Sequence, residues 1–158
     1  MSVANELAAL FRRDLTRLLQ EIEASPEGEL WGTLPGTGNS IGNLALHLEG
    51  NLREFIGRQL GAVPYQRVRD REFADRDVSK EELTRRLGEV SDLIPGVVAA
   101  LSPAQMEAIY PEQVLGASLP TQQFLISLFG HLNYHLGQVD YLRRILTQGS
   151  AIDFAGLR

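Results

Sequence analysis

Residues 125–146 read LISLFGHLNYHLGQVDYLRRIL. Leu125, Leu128, Leu132, Val139, Leu142 and Leu146 recur at the three- and four-residue spacing of one buried helical face. With Phe124 ahead of them and Gly149 behind, the pattern predicts a helix over about 121–146. His131 and His135 sit inside that stripe, one turn apart. They lie about 40° apart around the axis and about 6 Å apart along it, so both imidazoles can reach one ion.

Three further stripes flank this one. Val3, Leu7, Leu10, Phe11, Leu15, Leu18, Leu19 and Ile22 predict a helix over 3–24, stopped by Ser25-Pro26. The stretch SIGNLALHLEGNLREFI, residues 40–56, opens a second helix capped by Asn39 or Ser40 and ending at Gly61. Ser79 and Glu82 stand in capping-box spacing at the start of a third, which reaches Leu101 through Pro95, a potential kink. Ser102-Pro103 begins a short helical turn, and 109–120 reads as loop or short extended pieces. Residues 62–78 read as a long polar connection carrying Pro64 and the run RVRDREFADRD. Trp31 stands in a Gly- and Pro-rich loop, where such a ring is expected to plug one end of a core. Four amphipathic helices of about 20 residues imply an all-α fold, a four-helix bundle with long connections, as a single domain over 1–158. Their order in space does not follow from periodicity.

Composition narrows the function classes. A net charge of −5 and a pI near 5.2 oppose a nucleic-acid surface, and the arginines are scattered in pairs that read as solvated helix faces. The chain has no cysteine, so disulfides and thiolate metal ligands are both excluded. The first 20 residues carry charges throughout and lack an apolar leader, and no stretch matches a membrane span; the expectation is a cytoplasmic protein with no membrane partner.

The remaining histidine of the three is His47, on a mixed face of the second helix with Asn43, Leu44, Asn51 and Glu54. An i,i+4 histidine pair on a helix is either a metal site or a chance pair, and a single histidine in a core usually bonds a backbone carbonyl. Burying unpaired imidazoles within apolar segments costs free energy, which favours the metal reading. Periodicity alone does not bring His47 to the pair. Three neutral histidines would leave a divalent ion its full charge and an open position, as in catalytic zinc sites. Two other polar residues are candidates for chemistry. Gln138 either orients a ligand or is an ordinary helix residue, and Asp14 either accepts from a ligand imidazole or marks an edge of the apolar face. Glu54 is about 10 Å along the helix from His47, too far to share an ion.

The segments 40–56 and 125–146 resemble the two signature helices of the DinB/YfiT-like superfamily, with one histidine on the second helix and an H-x-x-x-H pair on the fourth. Helix order, the long second connection and the continuation HLGQ extend the resemblance over nearly the whole chain. It implies that His47, His131 and His135 form a metal triad for one divalent ion, Zn2+ or Ni2+, in a protein that is commonly a homodimer. It also implies a metal-dependent enzyme of the thiol S-transferase or hydrolase type, acting on a small-molecule substrate such as a low-molecular-weight thiol. The alternatives are a non-catalytic metal-binding stress protein and a metal-free interaction module.

Overall fold

A computed structural model of the chain describes residues 2–153. Its helices in chain order are α1 (Val3–Ala24), α2 (Ile41–Leu52, running on as a π-helical turn over Arg53–Arg58), α3 (Arg69–Ala74), α4 (Lys80–Ala99), α5 (Pro103–Glu107) and α6 (Thr121–Thr147). Serine starts four of them. The side chains of Ser2, Ser40, Ser79 and Ser102 each accept from the backbone N–H three residues on, satisfying a donor that the first turn cannot. Ser40 and Ser102 make complete capping boxes with Asn43 and Gln105. At Ser79 the expected reciprocal bond is absent, because the Glu82 carboxylate pairs with Arg85 at 2.8 Å.

The four long helices close into a ring in which α1 packs on α4 and α6, and α2 packs on the same two. Between α2 and α6, His47 faces His131 and His135, while the Phe55 and Phe124 rings meet with their centres 5.4 Å apart. Residue numbers rise along α2 as they fall along α6, so the two helices are antiparallel. The apolar stripes read from sequence meet inside: Leu18, Ile22, Leu48, Leu52, Ile56, Val90, Ile94, Leu125, Leu132 and Val139 are fully buried. Each such side chain stabilises the fold by about 1.5–3 kcal/mol.

Three local expectations change. The connection over 62–78 contains α3, whose Glu72 is buried and whose backbone is tied to α2: the Asn43 Nδ2 donates to the carbonyls of Glu72 and Asp75 at 2.9 and 3.1 Å. The left-handed residue after α6 is Gln148 rather than Gly149. Trp31 does more than plug an end. Its indole lies where a Cβ on Gly42 would be, 2.4 Å from the ring, and its Nε1 donates to the Val78 carbonyl at 3.3 Å. The ring thus joins the start of α2 to the approach to α4. The Ile109–Pro120 and Val114–Ala117 bridges form the expected short extended pieces. Among the described residues no helix is long and apolar enough to cross a membrane.

Candidate metal centre

The antiparallel pairing of α2 with α6 brings together the three histidines that the sequence kept apart. His47 Nε2 lies 3.2 Å from His131 Nε2, and His135 Nε2 lies 3.1 Å from His131 Nε2. A potential ligand atom of each of the three lies within 4.8 Å of those of the others. Nitrogens bound at 2.0–2.1 Å around one tetrahedral ion would stand about 3.3 Å apart. Two of the three separations match that requirement, and the third is no more than 4.8 Å. The rings stand nearly perpendicular to one another, at 77° to 88°, so their nitrogen lone pairs converge while the rings avoid stacking.

The outer nitrogens are treated unequally. His47 Nδ1 lies 2.9 Å from Glu72 Oε2, and Arg67 donates to both oxygens of the same carboxylate, at 2.6 and 2.9 Å. His135 Nδ1 lies 2.7 Å from Gln138 Oε1. His131 Nδ1 is buried with no hydrogen-bond partner among the described residues. Electrostatics keep the pair on α6 neutral near pH 7. Burial, followed by the neighbouring imidazoles and Arg67, lowers the His131 pKa from 6.5 to about 4. Burial lowers that of His135 as well, against the opposing bond to Gln138. Burial alone would raise the Glu72 pKa, but the bonds from Arg67 and His47 outweigh it and hold the carboxyl below its usual range. A neutral imidazole is the form that ligates metal.

The polar candidates sort clearly. Gln138 sits at the centre, holding His135, rather than standing free. Asp14 is fully buried, but its oxygens accept from Arg13 at 2.6 Å and from Asn133 Nδ2 at 2.9 Å, so it pins α1 to α6 and bonds no imidazole. Glu54 pairs with Arg58, away from the histidines. Glu72 and Arg67 were not picked out from the sequence. Their run of alternating charges reads as a solvated loop, and only the docking of α3 onto α2 buries one carboxylate of that run.

Asn51 is the second residue whose surroundings matter. It lies one turn along α2 from His47, between the histidine layer and the Phe55–Phe124 layer. It is 7% exposed, and its amide oxygen is buried with no hydrogen-bond partner among the described residues. A buried amide oxygen without a donor costs about 1–3 kcal/mol, which asks for a water or a ligand group at that place. Arg67 also lies over the Phe55 ring, 5.6 Å from its centre, at the head of an open groove of about 390 Å3 that Glu54, Arg58, Tyr65, Gln66 and Arg69 complete. Volumes of that size hold small molecules.

No protein-family model matches the chain, and no curated protein matches its sequence. Among solved structures it is similar to a DinB-like protein from Bacillus cereus ATCC 10987, with a TM-score of 0.68 and 15% identity over 92% of this chain and 91% of that one. The all-helical bundle is therefore the DinB-like fold expected from the histidine-bearing helices.

Proposed function

We propose that the chain is a metalloprotein in which His47, His131 and His135 hold one divalent ion, Zn2+ or Ni2+, and that it acts as a thiol-activating transferase. The convergence of three imidazole nitrogens carries this reading, because among the described residues nothing else offers a comparable ligand set. Three protein ligands leave a position for an exogenous group. An ion so held lowers the pKa of a bound thiol or water and polarises an oxygen electrophile. The chain's own residues do the rest. Glu72 and Gln138 aim the imidazoles, Phe73 covers the His47 ring at 5.0 Å, and the Asn51 amide oxygen offers an acceptor to a group seated beside the centre.

Glu72 is engaged in holding an imidazole and Gln138 is a non-basic amide, so neither serves as a general base. A thiol is the nucleophile best served by such a site, since its free pKa near 8.5 needs only a modest drop to yield thiolate at neutral pH. Hydrolysis asks more of the missing base. We therefore favour transfer of a low-molecular-weight thiol to a small electrophile over hydrolysis. The test has two stages. Elemental analysis of protein purified without added metal should give near one ion per chain, lost equally in His47→Ala and His131→Ala. A screen of small thiols against alkylating and carbonyl electrophiles should then show metal-dependent conjugation. Full metal in His47→Ala would sink the triad, and metal without turnover would leave a non-catalytic binding protein.

The same reading includes a cytoplasmic homodimer. Ile126, Tyr134, Tyr141 and Ile145 form a half-exposed apolar stripe along the outside of α6, which an isologous contact would cover. Phe129 does not belong to it, because its ring packs edge-on against Phe11 at 5.5 Å.

A further inference from the structure

Gly50 lies inside α2, three residues after His47, where alanine would serve a helix better. Its reason is spatial. A Cβ there would fall 2.1 Å from Glu72 Oε1 and 2.8 Å from its carboxyl carbon. The missing side chain is the seat of the Glu72 carboxylate. Two other groups hold that carboxylate down: Arg67 grips both oxygens, and the fully buried Asn43 ties the α3 backbone to the first turn of α2. The acid is thus built into place by three residues, Gly50, Arg67 and Asn43, and its remaining contact is His47 Nδ1 at 2.9 Å.

We propose that Glu72, seated by Gly50, is a positioning residue that holds His47 as the Nδ1–H tautomer with its Nε2 lone pair aimed at His131 and His135. A carboxylate only accepts, so a hydrogen bond to it places the imidazole proton on Nδ1. Among the described residues Arg67 Nη2 is the one competing donor, and at 3.5 Å from the same nitrogen it is at the outer limit of a bond. The opposite tautomer would point an N–H into the centre and block ligation there. The connection between α2 and α4 is accordingly part of the centre. The tautomer stands independently of the proposed function, and only its effect on metal affinity rests on that reading.

The test begins with the metal-free wild-type protein, labelled with 15N-histidine at pH 7.5. Long-range proton–nitrogen correlation should show His47 protonated at Nδ1. In Gly50→Ala the carboxylate, the free end of a flexible side chain, must move aside while the helix gains a better former, so the variant should fold. Its His47 should shift towards the Nε2–H form, as should that of Glu72→Ala. Zinc affinity, read by competition with a chromophoric chelator, should fall about 10- to 100-fold in both, the range for a lost outer partner of a ligand imidazole. A wild-type His47 found as Nε2–H overturns the proposal, as does a Gly50→Ala protein unchanged in both tautomer and affinity. If the wild type binds no zinc, the metal reading falls, and the tautomer measurement still decides this one.

Discussion

Acid should destabilise the metal-free protein through His131. Its pKa in the folded chain is about 4, against 6.5 for an ordinary histidine, because folding buries it beside two other imidazoles and Arg67. Below 6.5 the unfolded chain takes up a proton that the folded site resists. The stability is therefore complete above pH 6.5 and is lost as the pH falls from there towards 4. For an enclosed group the difference would amount to about 3 kcal/mol. His131 is only partly buried, and screening by nearby solvent reduces this to about 1–2 kcal/mol. For a chain of this size that is a loss of roughly 2–8 °C in Tm. The assay is thermal unfolding of chelator-stripped wild type and His131→Gln at pH 7 and 4.5. The carboxyls of Glu72, Glu82 and Glu89, held below their usual range, lose their contribution mainly under more acid conditions. The variant should accordingly lose several degrees less than the wild type over this window. Equal losses in the two proteins would show that His131 is not held neutral by the fold.

Zinc should change the tautomer of His131. In the metal-free cluster His47 and His135 have outer acceptors for their Nδ1–H, which leaves His131 to donate from Nε2; ligation must move that proton to Nδ1, and nitrogen shifts before and after one equivalent of zinc check it. An unchanged His131 would contradict the assignment. Asn133→Ala removes the donor to the fully buried Asp14 and should cost about 1–3 kcal/mol in chemical denaturation, with zinc stoichiometry unaltered. Loss of zinc in that variant would place Asp14 in the centre after all. Asn51→Leu fills the same space without a buried amide, so it should unfold no more easily than the wild type while conjugation slows; unaltered turnover would remove Asn51 from the ligand's surroundings. Light scattering should give twice the chain mass at micromolar concentration, falling to one chain mass in Tyr134→Glu/Tyr141→Glu, and a monomeric wild type would refute the dimer.

The fold was legible because its determinants are local and periodic. Val3–Ala24 and Thr121–Thr147 carry unbroken stripes, and serine caps fixed the starts of α2 and α4. The i,i+4 spacing of His131 and His135 made them neighbours by helix geometry alone. That His47 joins them depends on α2 and α6 being antiparallel neighbours, a relation that no periodicity encodes. Glu72 was illegible for a different reason. It is one of several alternating charges between Arg67 and Asp77, and what distinguishes it is the space left by Gly50 and the tether from Asn43. Both of those residues act across a gap of more than 20 positions. Gln138 was visible as a candidate, but the choice between anchoring an imidazole and facing a substrate needed the 2.7 Å contact.

The unequal outer contacts also say how the centre depends on the fold. An acceptor on the outer nitrogen strengthens an imidazole as a donor to metal, and a carboxylate does so more than an amide. His47 has the carboxylate, His135 the amide of Gln138, and His131 neither. The two ligands that α6 supplies by itself are thus the less supported ones. An isolated α6 would present the i,i+4 pair without its strongest member, and unfolding the 62–78 connection would weaken that member without removing any ligand. Tight binding of an ion there would require α2 docked on α6 and α3 docked on α2 together. An ion bound on these terms stabilises the whole bundle by mass action, because the unfolded chain holds only scattered imidazoles that cannot compete for it.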